Sequence, residues 1–254
     1  MRVGLLHPGE MGAALAAELR RAGHDVLWAS AGRSGATADR ARNADLEDAG
    51  TTAELARHSE LVLSVCPPHA APEVASSVGD FDGVYVDANA VSPDTARRVA
   101  AVVESARAVF VDGGIVGPPP REPGTTRLYL SGASAPLVAD VFAGTAVDAR
   151  VVSDRVGAAS AVKMAYAAWT KGTAALLLAV LALARAEEIE PDLLAEWQLS
   201  LPDLPAASER AARSAEAKGW RWVGEMEEIA ATFAADGLPS GFHEAAAEVF
   251  RGRR

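Results

Sequence analysis

The sequence predicts an α/β protein with an N-terminal doubly wound domain, a long interdomain helix and a smaller all-α C-terminal domain. Two observations predict it. Short apolar runs of strand length alternate with helical patterns up to about residue 152, and such alternation is typical of parallel strands joined by helical crossovers. From Asp154 to about Glu190 the strand signal is missing, and an Ala/Leu-rich helical pattern replaces it. We therefore expect two domains, residues 1–152 and residues 153–254.

The elements of the first domain can be assigned in chain order. The predicted strands are Arg2–His7, Asp25–Ala29, Glu60–Val65, Gly83–Asp87 and Ala108–Asp112, with two further candidates at Arg127–Leu130 and Ala149–Val152. The predicted helices are Gly9–Ala22, Thr37–Arg42, Pro72–Ser77, Pro93–Glu104 and one that begins near Pro136. This order predicts a parallel sheet covered by helices on both faces.

The second domain begins with a predicted helix of about 30 residues, roughly 45 Å long at 1.5 Å per residue. Within it, the longest fully apolar run is Ala174–Ala184. This run is too short for the roughly 20 residues that span a bilayer, so we expect a buried helix and no membrane. The rest of the chain is helical in pattern, with interruptions expected at Pro202, Pro205, Gly219, Gly237 and Pro239. This segment is short and can bury little apolar core by itself. We therefore expect it to pack on the long helix, and we expect the protein to form a homodimer.

Composition excludes several classes of function. The 254 residues contain 24 Lys+Arg and 34 Asp+Glu, and the net charge of −10 argues against nucleic acid as the main partner. The short tail Arg251–Arg254 is the basic exception. The single cysteine, Cys66, cannot form an internal disulfide, and we expect no metal site. Because this lone cysteine has no disulfide partner in the chain, we expect a reducing cytoplasm. The stretch before Pro8 does not have the pattern of a signal peptide.

A glycine-containing turn follows the first predicted strand and leads directly into a helix. Such a turn holds a pyrophosphate, because glycine permits close backbone approach and the helix N-terminus offers free N–H groups. The usual first glycine of the G-x-G-x-x-G pattern is a histidine here. The residues of the turn, all candidates for cofactor binding, are His7, Pro8, Gly9, Glu10, Met11 and Gly12.

The end of the second strand indicates the cofactor. A protein that prefers NAD usually carries Asp or Glu here to bind the ribose 2′-hydroxyl, whereas this chain has Ser30, Arg33 and Ser34. Two hydroxyls and an arginine suit a 2′-phosphate, which favours NADP(H) over NAD(H). A solvated turn without a ligand would suit the same residues.

Four segments, in this order along the chain, carry a resemblance to a known family. They are Gly4–Gly12 (GLLHPGEMG), Ser64–Pro68 (SVCPP) with Val86–Thr95 (VDANAVSPDT), Phe110–Gly117 (FVDGGIVG) with Gly124–Gly132 (GTTRLYLSG), and Gly157–Lys163 (GAASAVK). The chain resembles the β-hydroxyacid dehydrogenase superfamily, which includes 3-hydroxyisobutyrate and 6-phosphogluconate dehydrogenases and the related imine reductases. The resemblance covers about residues 1–185 and implies an NADP-binding Rossmann domain.

The resemblance also implies roles for particular residues. Lys163 matches the family's catalytic lysine, and Asn89 together with the loop Cys66, Pro67 and Pro68 would border the nicotinamide ribose. Gly113 and Gly114, in a loop after a strand that ends at Asp112, would present N–H groups to a substrate carboxylate, although a structural turn explains them equally well. The chain departs from the family pattern at three positions, which are Ala90, Val116 and Ala167.

Lys163 has the residue type that proton transfer to a carbonyl oxygen requires. A lysine whose pKa is lowered by partial burial can protonate a developing alkoxide and, in the reverse direction, accept the hydroxyl proton. Without the family resemblance, the solvent-facing side of an amphipathic helix would explain it. Tyr166 and Thr170 follow on the same helix face and are candidates for substrate binding, as is His243 behind a predicted Ser240 helix cap.

The functional hypothesis is an NADP-dependent oxidoreductase that acts on a small 3-hydroxy acid or the corresponding carbonyl compound. Two alternatives stay open. An imine reductase-like enzyme is one, although those relatives usually lack the lysine. A non-catalytic NADP-binding sensor or assembly protein is the other, because of the departures at Ala90, Val116 and Ala167.

Overall fold

The computed structural model describes residues 1–252, so the last two residues of the basic tail lie outside it. The strands are β1 (Arg2–Leu5), β2 (Asp25–Trp28), β3 (Glu47–Asp48), β4 (Leu61–Ser64), β5 (Val84–Asp87), β6 (Val109–Val116), β7 (Thr126–Ser131) and β8 (Val147–Ser153). The helices are α1 (Glu10–Arg21), α2 (Gly35–Asn43), α3 (Thr52–Arg57), α4 (Ala71–Ser76), α5 (Pro93–Ser105), α6 (Ala135–Val141), α7 (Ala158–Ala186), α8 (Glu190–Ser200), α9 (Leu204–Ala235) and α10 (Gly241–Arg251). The chain divides into two compact units, residues 1–163 and the residues from 164 onward.

The first unit is built on one sheet of eight strands in the order β3-β2-β1-β4-β5-β6-β7-β8. Neighbouring strands from β3 to β6 are parallel, β6 pairs antiparallel with β7, and β8 pairs parallel with β7. The chain order reverses between β1 and β4, and open sheets bind ligands at the carboxyl ends of the strands at such a point. The predicted α/β class and the doubly wound order are confirmed.

Apolar side chains cover both faces of this sheet. On one face, Leu15 and Leu19 of α1 and Val138 of α6 pack against the strands. On the other face, helices α3, α4 and α5 contribute Leu55, Ala75 and Val99. The sheet is therefore buried on both faces, so a ligand can approach it at the ends of the strands but not at a face.

Several predicted bounds differ from the structure. β6 continues four residues beyond the predicted end at Asp112, and β3 and α3 have no counterpart in the prediction. The helix α9 runs without interruption through Pro205, in its first turn, and through Gly219, so the breaks expected at these two residues were wrong. The breaks at Pro202, Gly237 and Pro239 coincide with the segments between helices.

The second unit consists of the larger part of α7 with α8, α9 and α10. Leu177 and Leu181 of α7 pack with Trp197 and Ala211. The rings of Trp222 and Phe250 join α9 to α10 edge-to-face at 5.1 Å. These contacts give the unit a core of its own.

The helix α7 is long and apolar enough to cross a membrane by length and composition, a test that core helices of soluble proteins also pass. The expectation that its apolar run is buried holds for one side only. Leu177 and Leu178 are buried, whereas Leu176 and Leu183 are each 62% exposed. An apolar face of α7 is therefore open on the second unit.

Candidate active site

The glycine-containing turn joins β1 to α1 as predicted. A Cβ on Gly12 would lie 2.3 Å from the carbonyl oxygen of His7, so only glycine fits there. A Cβ on Gly9, which precedes the first turn of α1, would meet no atom within 4 Å. The N-terminus of α1 therefore faces open space, as a pyrophosphate site requires.

His7 and Arg33 lie together beside this turn. Nη2 of Arg33 donates to the carbonyl of Leu6 at 3.3 Å. Burial, and then the positive charge of Arg33, lowers the pKa of His7 to about 4, so the imidazole is neutral at pH 7. Nδ1 of His7 and Nε of Arg33 are buried and have no hydrogen-bond partner among the described residues. Unpartnered polar atoms beside an open helix N-terminus fit an anionic dinucleotide.

Other residues that follow β2 form hydrogen bonds within the chain. The carbonyl of Ser30 accepts from the Arg33 amide, and Oγ of Ser34 caps α2 by accepting from the Thr37 amide at 3.3 Å. Arg40, which the sequence did not single out, donates from Nε to the carbonyl of Pro8 at 2.9 Å. Arg33 and Arg40 thus hold two carbonyls, that of Leu6 just before the turn and that of Pro8 within it.

Asn89 ties the ends of β4 and β5 together. Its Oδ1 accepts from the Cys66 amide, and its Nδ2 donates to Oγ of Ser64 at 3.2 Å. Asn89 is buried, so its amide shapes the loop Cys66–Pro68 that the resemblance places over the cofactor. Burial raises the pKa of the Cys66 thiol to about 12, which keeps the sulfur protonated and chemically quiet.

Gly113 and Gly114 lie inside β6, so their expected placement in a loop after Asp112 was wrong. They pair with Leu130 and Tyr129 of β7, while the pairing with β5 ends at Asp112. Beyond that point, none of the strands among residues 1–252 pairs with β6 on the β5 side, and residues 113 to 116 are buried. Because alternate residues of a strand direct N–H and C=O to opposite edges, part of the backbone from 113 to 116 is directed to that edge.

Asp112 anchors the start of α7 to the sheet. Its buried carboxylate accepts from the amides of Gly157 and Ser160, each at 3.0 Å, and from Oγ of Ser160 at 2.6 Å. Ser131 adds a fourth donor at 2.9 Å and itself accepts from the Ala159 amide at 3.0 Å. A carboxylate at the positive end of a helix is favourable, so α7 begins at a defined point over β6.

Lys163 emerges one turn after this anchor. A Cβ placed on Gly114 would lie 3.0 Å from the Cβ of Lys163 and 2.8 Å from the carbonyl oxygen of Ala159. Asp112 and Gly114 share one face of β6, because side chains alternate along a strand. Burial lowers the pKa of Lys163 to about 8, which allows the amine to give and take protons near neutral pH.

The remaining predicted substrate residues belong to the second unit. Tyr166 and Thr170 lie on the exposed side of α7, and Oγ1 of Thr170 donates to the Tyr166 carbonyl. His243 is buried in α10, with its ring 4.4 Å from that of Phe233, and burial lowers its pKa. Among residues 1–252, no group of three or more His, Cys, Asp and Glu side chains could hold a metal ion.

Two family profiles match parts of the chain. Residues 2–91 match the family described as NADP oxidoreductase, coenzyme F420-dependent. Residues 184–252 match a domain of unknown function, DUF1932. The first match includes the turn and the loop Cys66–Pro68, and the second covers most of the helical unit.

Two curated relatives are similar to the chain. An uncharacterized 28.5 kDa protein of Methanothermus fervidus is 29% identical over 76% of this chain and 75% of its own length. The mitochondrial 3-hydroxyisobutyrate dehydrogenase of Drosophila melanogaster is 25% identical over 51% of this chain and 41% of its own length.

Solved structures match the chain over its whole length. A conserved protein of unknown function, described as similar in structure to 3-hydroxyacid dehydrogenases, is 27% identical with a TM-score of 0.74, over 100% of this chain and 96% of that one. A 3-hydroxyisobutyrate dehydrogenase of Salmonella typhimurium shares the fold at 18% identity and a TM-score of 0.73, over 99% and 93% of the two chains. A reductive aminase of Aspergillus terreus shares it at 20% identity and a TM-score of 0.63, over 99% and 94%. The chain therefore has the β-hydroxyacid dehydrogenase-like fold, in which a Rossmann domain of the NADP-binding type precedes a C-terminal helical domain.

Proposed function

We propose that the protein is an NADP-dependent dehydrogenase or reductase that acts on a small 3-hydroxy acid or the corresponding carbonyl compound. The comparisons support the broader class, a nicotinamide-dependent oxidoreductase. The observation that carries the finer proposal is Lys163, a partly buried lysine whose Cβ lies beside Gly114, one turn after the anchor of α7 at Asp112.

The bound nicotinamide supplies or accepts the hydride. The chain's own task is to manage the proton at the substrate oxygen. In carbonyl reduction, the ammonium group of Lys163 donates a proton to the oxygen as negative charge develops on it. In the reverse direction the neutral amine accepts the hydroxyl proton, and a pKa near 8 makes both forms available.

The residues beside the first turn hold the cofactor. The open N-terminus of α1 binds the pyrophosphate with its free N–H groups, and the neutral imidazole of His7 can donate a hydrogen bond without adding charge. Arg33, with the hydroxyl of Ser30, binds the 2′-phosphate, which selects NADP(H). Gly113 and Gly114 bind the substrate carboxylate along the edge of β6 where its pairing with β5 has ended. Tyr166, Thr170 and His243 are further candidates for substrate binding within the second unit.

We further infer that the protein works as a homodimer in a reducing cytoplasm. The exposed apolar face of α7 supports the dimer, since large apolar patches on soluble proteins usually mark interfaces. A single free cysteine with a raised pKa supports the compartment.

The direct test is turnover by the purified protein with NADPH and NADH against a panel of small carbonyl acids and cyclic imines. We expect reduction of a carbonyl acid with NADPH, and its loss in Lys163→Ala. Lys218→Ala is the matched control, because Lys218 is an exposed lysine of α9. Tight NADPH binding without turnover of any panel member would favour a sensor, and turnover of the imines alone would favour an imine reductase.

A further inference from the structure

The turn between β1 and α1 contains three successive carbonyl groups, those of His7, Pro8 and Gly9. Two of them are bound close by in the chain. The His7 carbonyl accepts from the Gly9 amide at 2.8 Å, and the Gly9 carbonyl accepts from the Ala13 amide of α1 at 2.9 Å. The middle carbonyl, that of Pro8, is bound from another helix, by Nε of Arg40 in α2 at 2.9 Å. Helix α2 therefore holds the centre of the turn.

The carbonyl of Pro8 depends on this partner. Proline has no amide hydrogen, so the carbonyl is the only backbone group of Pro8 that can form a hydrogen bond. Pro8 is buried, and a buried carbonyl that loses its partner costs free energy. A peptide group released from Arg40 can rotate, and a rotated carbonyl would direct its partial negative charge at an anion bound by the N-terminus of α1. The bond to Arg40 prevents this rotation.

Arg40 is itself fixed within α2. Its Nη2 donates to Oγ1 of Thr37 at 3.1 Å, and this hydroxyl oxygen lies 3.1 Å from Oγ of Ser34, which caps the helix. The Arg40 side chain is half-buried. Because its position is set by bonds within α2, the guanidinium does not have to be ordered when a ligand binds.

Arg33 and Arg40 differ in what their guanidinium nitrogens bind. Nε of Arg33 is buried and has no hydrogen-bond partner among residues 1–252, so it is left for a ligand. Nε and Nη2 of Arg40 are both bonded inside the chain. Arg33 therefore has the unpaired donor that a phosphate requires, whereas Arg40 supports the turn.

We propose that Arg40 is a positioning residue for the cofactor pyrophosphate, which fixes the Pro8 carbonyl and does not contact the 2′-phosphate. This inference rests on the proposed nicotinamide cofactor and gives the second arginine a different task from Arg33. NADPH and NADH share the pyrophosphate, so loss of Arg40 weakens the binding of both equally. Loss of Arg33 weakens the binding of NADPH alone, and the two arginines are thereby told apart.

The test compares Arg40→Met with Arg40→Lys in the full-length protein by calorimetric titration. In Arg40→Met the dissociation constants for NADPH and for NADH should each rise by about tenfold, the effect of losing one hydrogen bond from a charged donor. Their ratio should stay within about twofold of the wild type. Arg40→Lys should recover most of the affinity, because the Pro8 carbonyl needs a single charged donor. Arg42→Met is the matched control, since this arginine of the same helix is exposed and paired with Asp39.

Two further readouts separate positioning from a general loss of stability. The kcat of Arg40→Met at saturating NADPH should stay within about twofold of the wild type, because proton transfer at Lys163 does not involve α2. In the cofactor-free protein, the bonded amides of Gly9 and Ala13 should exchange their hydrogens about tenfold faster in Arg40→Met and at the wild-type rate in Arg42→Met.

The outcomes distinguish this inference from the proposed function. Unchanged affinity of Arg40→Met for both cofactors, beside normal binding by the wild type, would overturn this inference alone. A loss of affinity for NADPH only would also overturn it, because Arg40 would then bind the 2′-phosphate itself. Unchanged exchange at both amides would overturn it without any cofactor present. A wild type that binds neither NADPH nor NADH would overturn both proposals.

Discussion

Replacement of Gly114 by alanine tests how Lys163 is positioned. The added Cβ would lie 2.8 Å from the Ala159 carbonyl oxygen and 3.0 Å from Cβ of Lys163, whereas ordinary contacts begin at 3.4 Å. The start of α7 must therefore move away from β6 by about 0.4 to 0.6 Å, because both strand and helix are packed on their other sides.

This displacement predicts a selective loss of catalysis. Misplacement of a reacting group by about 1 Å can cost 10²-fold in rate, so half that distance predicts a fall in kcat of about tenfold. Overpacking should also lower the free energy of unfolding by about 1 to 3 kcal/mol. The dissociation constant for NADPH should stay within about twofold, since the first turn is not touched by the change.

The assay is steady-state turnover of the best panel substrate, with NADPH affinity from fluorescence titration and stability from chemical denaturation. Gly224→Ala is the matched control, because a Cβ at this position in α9 meets no atom within 4 Å. An unchanged kcat in a Gly114→Ala protein that is fully folded would refute the reasoning about Lys163.

Three further changes test the cofactor site and the anchor. Gly12→Ala places a Cβ 2.3 Å from the His7 carbonyl oxygen, so the turn must open and the dissociation constant for NADPH should rise by about tenfold or more; calorimetric titration showing wild-type affinity would contradict this. Arg33→Ala removes a charge-assisted hydrogen bond, so the NADPH-to-NADH affinity ratio should fall by about 10- to 100-fold, and an unchanged ratio means that the 2′-phosphate assignment is wrong. Asp112→Asn replaces a carboxylate that accepts four hydrogen bonds by an amide, which leaves some of the buried donors unpaired. The free energy of unfolding, measured with urea, should fall by about 3 kcal/mol. A fall of less than about 1 kcal/mol would exclude the role of Asp112 as an anchor.

The sequence predicted the alternating elements and the phosphate-binding turn because these depend on local patterns. Apolar runs of strand length, helix caps and glycine spacing all lie within a few neighbouring residues. Seven of the eight strands overlap their predicted ranges for this reason. The exception, β3, is two residues long, Glu47 and Asp48, and carries no apolar alternation.

The rest depends on contacts between distant segments. β6 extends through Gly113 and Gly114, which disfavour strands, because β7 pairs with them from 126 onward. α9 continues through Gly219, where Ala215 and Phe250 lie at contact distance from the site of a Cβ. The donors to Asp112 lie 19, 45 and 48 residues away in the chain, so no local signal could have shown the anchor.

The pH dependence of turnover tests the role of Lys163 most directly. Reduction requires the protonated amine, so its kcat should fall as pH rises through about 8, and oxidation requires the neutral amine, so its kcat should rise through the same range. Lys163→Ala should lower both rates by about 10² to 10⁴-fold and remove the titration near pH 8. Turnover by Lys163→Ala at the wild-type rate, with the same pH profile, would contradict the account.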